Sequence, residues 1–193
     1  MTASKRIGLY FGSFNPIHNA HLCVSRSLIE QKRVDEVWLI VSPQNPLKSR
    51  DGLLDADKRL EMAKLAVLSC PDVYVSDVEF TLPQPSYTID TLHRLTEQHP
   101  SHTFSLLIGA DAVPTFDRWK NYGDILANYP VFVYPRRGFP LSDEQLRNMQ
   151  LIDAPFYDLS ATAIRALLKN GQPCNGMLPD AVLDCINRQK LYG

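Results

Sequence analysis

Five short runs of β-branched and aromatic residues, separated by helical patterns, constrain this chain more than any other feature. They are IGLYF (7–11), EVWLIVS (36–42), VYVSDVEF (73–80), TFSLLIG (103–109) and PVFVYPR (130–136). Their apolar residues are nearly continuous, as in strands covered on both faces. Between them, AHLCVSRSLIEQ (20–31) puts Leu22, Ser25 and Ile29 near one stripe, with Cys23 and Leu28 beside them. DADKRLEMAKLAVLS (55–69) opens on Asp55 and Asp57, which suit a helix N-terminus, and is expected to carry Leu60, Ala63, Leu65 and Val67 inward. SYTIDTLHRLTEQ (86–98) places Ile89, Leu92 and Leu95 at helical spacing. This alternation argues for an α/β fold, a doubly wound and mostly parallel sheet with helices on both faces.

Two more helical patterns follow, LSATAIRALLKNG (159–171) and LPDAVLDCINRQKLYG (178–193). Ser160 suits an N-cap, Gly171 a C′ position and Pro179 an N1 position. No repeat, low-complexity tract or linker interrupts the pattern, so one domain over 1–193 is expected. A 45% hydrophobic content supplies a core for it.

The net charge of -1 lacks the basic footprint of a protein that coats nucleic acid. Cys23, Cys70, Cys174 and Cys185 are scattered with no C-x-x-C pair, which argues against a zinc knuckle, a dithiol motif or a disulfide framework. The thiols of Cys23 and Cys185 fall in helical patterns and are read as buried. The N-terminus runs into a strand without a signal-type apolar segment, and no stretch has the length of a membrane span. A cytoplasmic protein without a membrane partner is expected.

Chemistry concentrates where the first strand ends, in GSFNPIHNAH (12–21). In open parallel sheets ligands bind outside the carboxyl ends of the strands. Gly12 permits a tight turn and a close backbone approach, and Pro16 stiffens the loop. A helix N-terminus offers unpaired N–H groups and partial positive charge to phosphate. His18 and His21, three residues apart, share one face of that first turn. By spacing alone they could equally cap the helix or form half of a zinc pair, although zinc helices favour H-x-x-x-H and no third ligand is evident. Neither G-x-G-x-x-G nor G-x-x-x-x-G-K-[ST] occurs, which disfavours a nicotinamide-dependent oxidoreductase and a P-loop enzyme.

The stretch GSFNPIHNAH resembles the G-[GST]-[ST]-F-[DN]-P-[IV]-H-x-G-H signature of bacterial nucleotidyltransferases, and within them the nicotinate-nucleotide adenylyltransferases. Ala20 replaces the usual Gly and Asn15 stands where Asp is common. LSATAIR (159–165) resembles the family's [IL]-S-S-T-x-I-R signature, with Ala161 in place of a hydroxyl residue. SPQNPLK (42–48), SYTIDTL (86–92), IGAD (108–111) and FDRWK (116–120) follow in the family's order, so the likeness covers nearly the whole chain.

The resemblance implies a Rossmann-like sheet and adenylyl transfer from ATP to nicotinate mononucleotide, giving deamido-NAD and pyrophosphate. It implies ATP contacts from Gly12, Ser13, Phe14, His18, His21, Gly109, Asp111, Ser160 and Arg165. It implies acceptor contacts from Asn45, Lys48, Tyr87, Thr88 and Trp119. His18, His21, Lys48 and Arg165 are the expected catalytic set. Phosphate proximity is expected to favour protonated histidines. Asp90 is expected to cap its helix, and either Arg136 or Arg137 to face phosphate. Mg²⁺ is expected to arrive with ATP, held by phosphates and water rather than by a protein cage. A homo-oligomer is compatible with the sequence. The rival readings are a same-fold enzyme acting on nicotinamide mononucleotide or phosphopantetheine, and a non-catalytic nucleotide sensor.

Overall fold

The computed structural model describes residues 3–44 and 52–193. Its strands are β1 (Arg6–Gly12), β2 (Glu36–Val41), β3 (Val73–Ser76), β4 (Thr103–Gly109), β5 (Val131–Tyr134) and β6 (Gln150–Leu151). Its helices are α1 (Asn19–Glu30), α2 (Ala56–Ala66), α3 (Thr88–Gln98), α4 (Tyr122–Asn128), α5 (Ala161–Lys169) and α6 (Asp180–Gln189). The strands form one parallel sheet in the order β3-β2-β1-β4-β5-β6. Gly12 pairs across to Val41, and Tyr10 to Leu107, so β1 is central. The winding reverses between β1 and β4. Their carboxyl ends therefore flank the crevice where such sheets bind ligands.

Side-chain alternation divides the core in two. On one face Tyr10, Leu39 and Leu107 meet Leu28 of α1, Met62 of α2 and Val182 of α6. On the other, Leu9, Ile40 and Leu106 meet Ile89 and Leu92 of α3 and Ile125 of α4. Each such aliphatic side chain contributes about 1.5–3 kcal/mol by leaving water.

The structure departs from the sequence pattern at four places. The third strand stops at Ser76, and Val78–Thr81 form a 3-10 turn rather than its continuation to 80. That turn carries Glu79 inward, where it is buried. Helix α2 buries Arg59, Met62, Ala63 and Ala66, whereas Leu60, Leu65 and Val67 are half-buried. The expected residues do pack on that core, but the deepest positions include a buried arginine, which an apolar stripe does not reveal. Pro179 serves as the N-cap of α6 rather than its N1 residue. The two-residue β6, beside Phe132 and Val133, carries too little pattern to be foreseen.

Candidate active site

A cleft of about 650 Å³ opens over the carboxyl ends of β1 and β4. Its floor is the loop after β1. Phe14 there has φ of 46°, a conformation that bulky residues rarely take. This turn seats its ring beneath Gly12, where a Cβ would lie 2.8 Å from the ring. Glycine is needed at 12 for that internal contact, a different reason from close approach by a ligand. At the second strand end, a Cβ on Gly109 would overlap the Asp111 carboxylate and come within 2.9 Å of the Tyr134 ring.

His18 is the N-cap of α1 and His21 lies one turn on. Their rings stack with centroids 3.7 Å apart. The His18 backbone N–H donates to His21 Nδ1 at 3.1 Å, so this nitrogen carries no proton in that geometry. The neutral His21 ring then bears its proton on Nε2. Phe14 meets the same ring edge-on at 5.1 Å. The His18 ring is buried, and its Nδ1 has no hydrogen-bond partner among the described residues. Burial, followed by the positive charge of Arg136, lowers its pKa to about 4. Burial thus holds His18 neutral at pH 7, while the protonated form remains the expectation beside phosphate. The helix-capping alternative is also realised in part, since His21 both caps and faces the cleft.

This burial has a measurable consequence for stability. In the unfolded chain a histidine titrates near ~6.5. Below that pH the unfolded state gains a proton that native His18 refuses, so stability falls as pH drops from about 6.5 to about 4 and rises with pH across the same window. Between pH 7.5 and 5, the His18 contribution to unfolding free energy drops by about 2 kcal/mol. Denaturant titrations at both pH values, on wild type and His18→Gln, read it. An equal pH dependence in both proteins would refute it.

Arg165 reaches back from the second turn of α5. Its Nη1 donates to the Asn15 carbonyl at 2.8 Å and its Nη2 to the Thr162 hydroxyl at 3.3 Å. Ser160 caps the same helix, its hydroxyl accepting from the Ala163 N–H at 3.1 Å, and Gly171 beyond its end has φ of 64°. Asn15 is a hub for the loop: its Oδ1 accepts from Tyr192 at 2.8 Å and its amide donates to the Gly52 carbonyl at 2.8 Å. A carboxylate would lack that donor, which accounts for asparagine here.

Every described member of the expected ATP set lines the cleft, as do Tyr87, Thr88 and Trp119. Asn45 and Lys48 lie outside the described residues. Trp119 leans on Phe116, with centroids 4.9 Å apart and planes tilted by 35°. Asp90 makes no cap; both its oxygens accept from Lys120 at 2.9 Å. The two neighbouring arginines point apart. Arg136 lines the cleft and pairs with Asp111 at 2.9 Å, whereas Arg137 projects into solvent toward Asp158.

A family model described as cytidylyltransferase-like matches residues 9–167. The chain belongs to that family.

Among its relatives, a probable nicotinate-nucleotide adenylyltransferase of Flavobacterium psychrophilum is 43% identical over 190 residues, covering 97% of this chain and 98% of its own. One from Bacteroides fragilis is 41% identical over 188 residues, covering 97% and 94%. The solved nicotinic acid mononucleotide adenylyltransferase of Plasmodium falciparum, complexed with NaAD, superposes with a TM-score of 0.83 over 97% of both chains. At 22% identity this last likeness concerns the fold.

Within the cytidylyltransferase-like frame, several cleft residues escaped the sequence reading. Tyr10 and Tyr134 join hydroxyls at 3.1 Å behind the histidines. Burial raises both phenols above their ordinary range. Glu79 and Ser86 line the cleft beside Tyr87 and Thr88. None has a spacing signal, because each reaches the cleft from a different element. Among the described residues, no group of three or more His, Cys, Asp or Glu side chains gathers to hold a metal ion, and no helix is long and apolar enough to cross a membrane.

Proposed function

We infer that the chain transfers the adenylyl group of ATP to nicotinate mononucleotide, giving deamido-NAD and pyrophosphate. One observation carries the reading. Relatives of that name match over nearly the full length, and the described residues expected at both substrates share one cleft.

A phosphate oxygen of the acceptor attacks the α-phosphorus of ATP. The new O–P bond forms as the bond to the β-phosphate bridging oxygen breaks, and pyrophosphate leaves with the electron pair. The nucleophile is already anionic at neutral pH, so alignment and charge stabilisation dominate over acid–base chemistry. His18, His21, Arg165 and the N-terminus of α5 meet the polyphosphate. Tyr87, Thr88 and Trp119 receive the acceptor, with Asn45 and Lys48 assigned to it from sequence.

Mg²⁺ is proposed to arrive on the ATP oxygens. The donors here suit that mode: Asp111 is engaged by Arg136, and the histidines present nitrogen rather than the oxygen that Mg²⁺ prefers. Bound there, the ion neutralises phosphate charge. The four free cysteines support a reducing cytosolic setting.

The test is pyrophosphate release from ATP and Mg²⁺ with nicotinate mononucleotide, nicotinamide mononucleotide and phosphopantetheine in parallel. Release at least tenfold faster with nicotinate mononucleotide is expected. Faster release with another acceptor overturns the substrate, and none from folded, ATP-binding protein overturns the reaction.

A further inference from the structure

Arg59 is among the largest fully buried side chains of the molecule, with no exposed surface. Removing a guanidinium from water costs several kcal/mol unless its donors are satisfied. Among the described residues it makes no ion pair. It is satisfied by backbone carbonyls from three segments. Its Nε donates to Leu54 at 2.8 Å, just before α2. Its Nη1 donates to Ser13 at 2.6 Å, in the loop after β1, and to Ser42 at 2.7 Å, after β2. Its Nη2 donates to Pro43 at 2.7 Å.

Ser42 extends the connection. While its carbonyl accepts from Arg59, its hydroxyl bonds the carboxylate of Glu79. Glu79 is itself buried, and accepts from Ser86 at 2.8 Å and from Thr91 at 2.9 Å. Ser86 directly precedes Tyr87 and Thr88. A continuous polar chain therefore runs from the floor of the phosphate loop to the segment that presents the acceptor-side residues. Burying an arginine and a glutamate without pairing them to each other is costly for a mere scaffold, since packed aliphatics do that work as well or better. What the pair supplies is a fixed spacing between loops that secondary structure does not join.

We propose that Arg59 is a positioning residue for transfer: with Glu79 it holds the ATP-side loop after β1 at reaction distance from the acceptor-side segments after β2 and before α3. The proposal rests on the two-substrate reading of the cleft. Because misalignment by an ångström costs far more in rate than in affinity, loss of the strut lowers kcat while leaving each substrate's separate affinity nearly intact. A lysine keeps the charge and length but gathers its donors at one atom, which cannot serve three segments at once.

The test compares wild type with Arg59→Lys, and with Thr91→Val, which at constant volume deletes the bond to Glu79 together with a longer one of 3.4 Å to the Tyr87 carbonyl, and lies away from the cleft wall. Melting curves confirm folding, calorimetric titration gives the Kd of ATP and of nicotinate mononucleotide singly, and pyrophosphate release gives kcat. Arg59→Lys is expected to lower kcat 10- to 30-fold with each Kd within threefold. Thr91→Val is expected to lower kcat three- to fivefold in the same pattern, and it decides the question alone if Arg59→Lys does not fold. Wild-type kcat in the folded variants overturns the proposal. So does a tenfold rise in either Kd, which would make Arg59 a local support for one subsite. Inactive wild type removes the two-substrate reading and this proposal together, whereas active wild type with active variants removes the proposal only.

Discussion

Alanine at His18 or His21 lowers pyrophosphate release by about 10²- to 10³-fold, the range for losing one preorganised donor at a developing charge. The size follows from the absence of any other chemistry to lose. The acceptor phosphate needs no base, and charge shifting onto the α-phosphate and the leaving pyrophosphate is the main demand on the protein. The two rings are fixed before substrate arrives, stacked on each other with His21 wedged against Phe14, so little reorganisation is left for the reaction itself. The neutral state of His18 does not weaken the case, since a neutral imidazole still donates one N–H. His21→Asn separates support from catalysis. Asparagine can accept the His18 N–H as Nδ1 does now, restoring the helix start, but its shorter amide does not reach the substrate side. Stability near wild type with turnover still down at least 10²-fold is the expected result, read by melting curves and single-turnover rates. Folded alanine variants at wild-type turnover would remove both histidines from the mechanism.

The parts legible in the sequence share a physical cause. Strands buried on both faces must be apolar throughout, so β1, β2, β4 and β5 announce themselves. The histidine pair and the Ser160 cap are local, lying within one helical turn of the backbone they serve. Residues that work across the fold leave no such trace. Arg59 sits among helix-forming residues of α2 and reads as a solvent-facing charge, yet four carbonyls, three of them from distant loops, draw it inside. Glu79 looks like the polar end of a strand, and the strand ends early because the carboxylate turns inward to the Ser86 and Thr91 hydroxyls. Arg136 and Arg137 are indistinguishable as neighbours. Only the direction of the chain leaving β5 decides that one meets Asp111 and the other solvent.

Arg165→Ala should lower kcat/KM for ATP by about 10²-fold, or about 2.7 kcal/mol of transition-state stabilisation. Among the described residues, its guanidinium gives one Nη1 bond to the Asn15 carbonyl and one Nη2 bond to Thr162. Five N–H donors are available in a guanidinium, so the fork retains capacity for phosphate oxygens while it anchors the loop. Alanine removes both services together: the anion loses a charged donor, and the Asn15 carbonyl loses the bond that ties α5 to the phosphate loop. Arg165→Lys weighs them against each other. Lysine preserves the positive charge, but a single ammonium at the end of a flexible stem cannot anchor the carbonyl and clasp phosphate with a planar fork. If geometry dominates, Arg165→Lys stays at least tenfold below wild type. If charge alone matters, it returns to within threefold. The salt dependence of kcat/KM supplies an independent reading, because a point-charge role weakens as ionic strength rises whereas a short, partly buried bidentate contact is screened much less. Folding should be nearly unaffected, since Ser160 still caps α5 and Ile164 still packs in the core. Melting temperatures of both variants within a few degrees of wild type would therefore assign the loss to the site, and a collapse in stability would assign it to the scaffold.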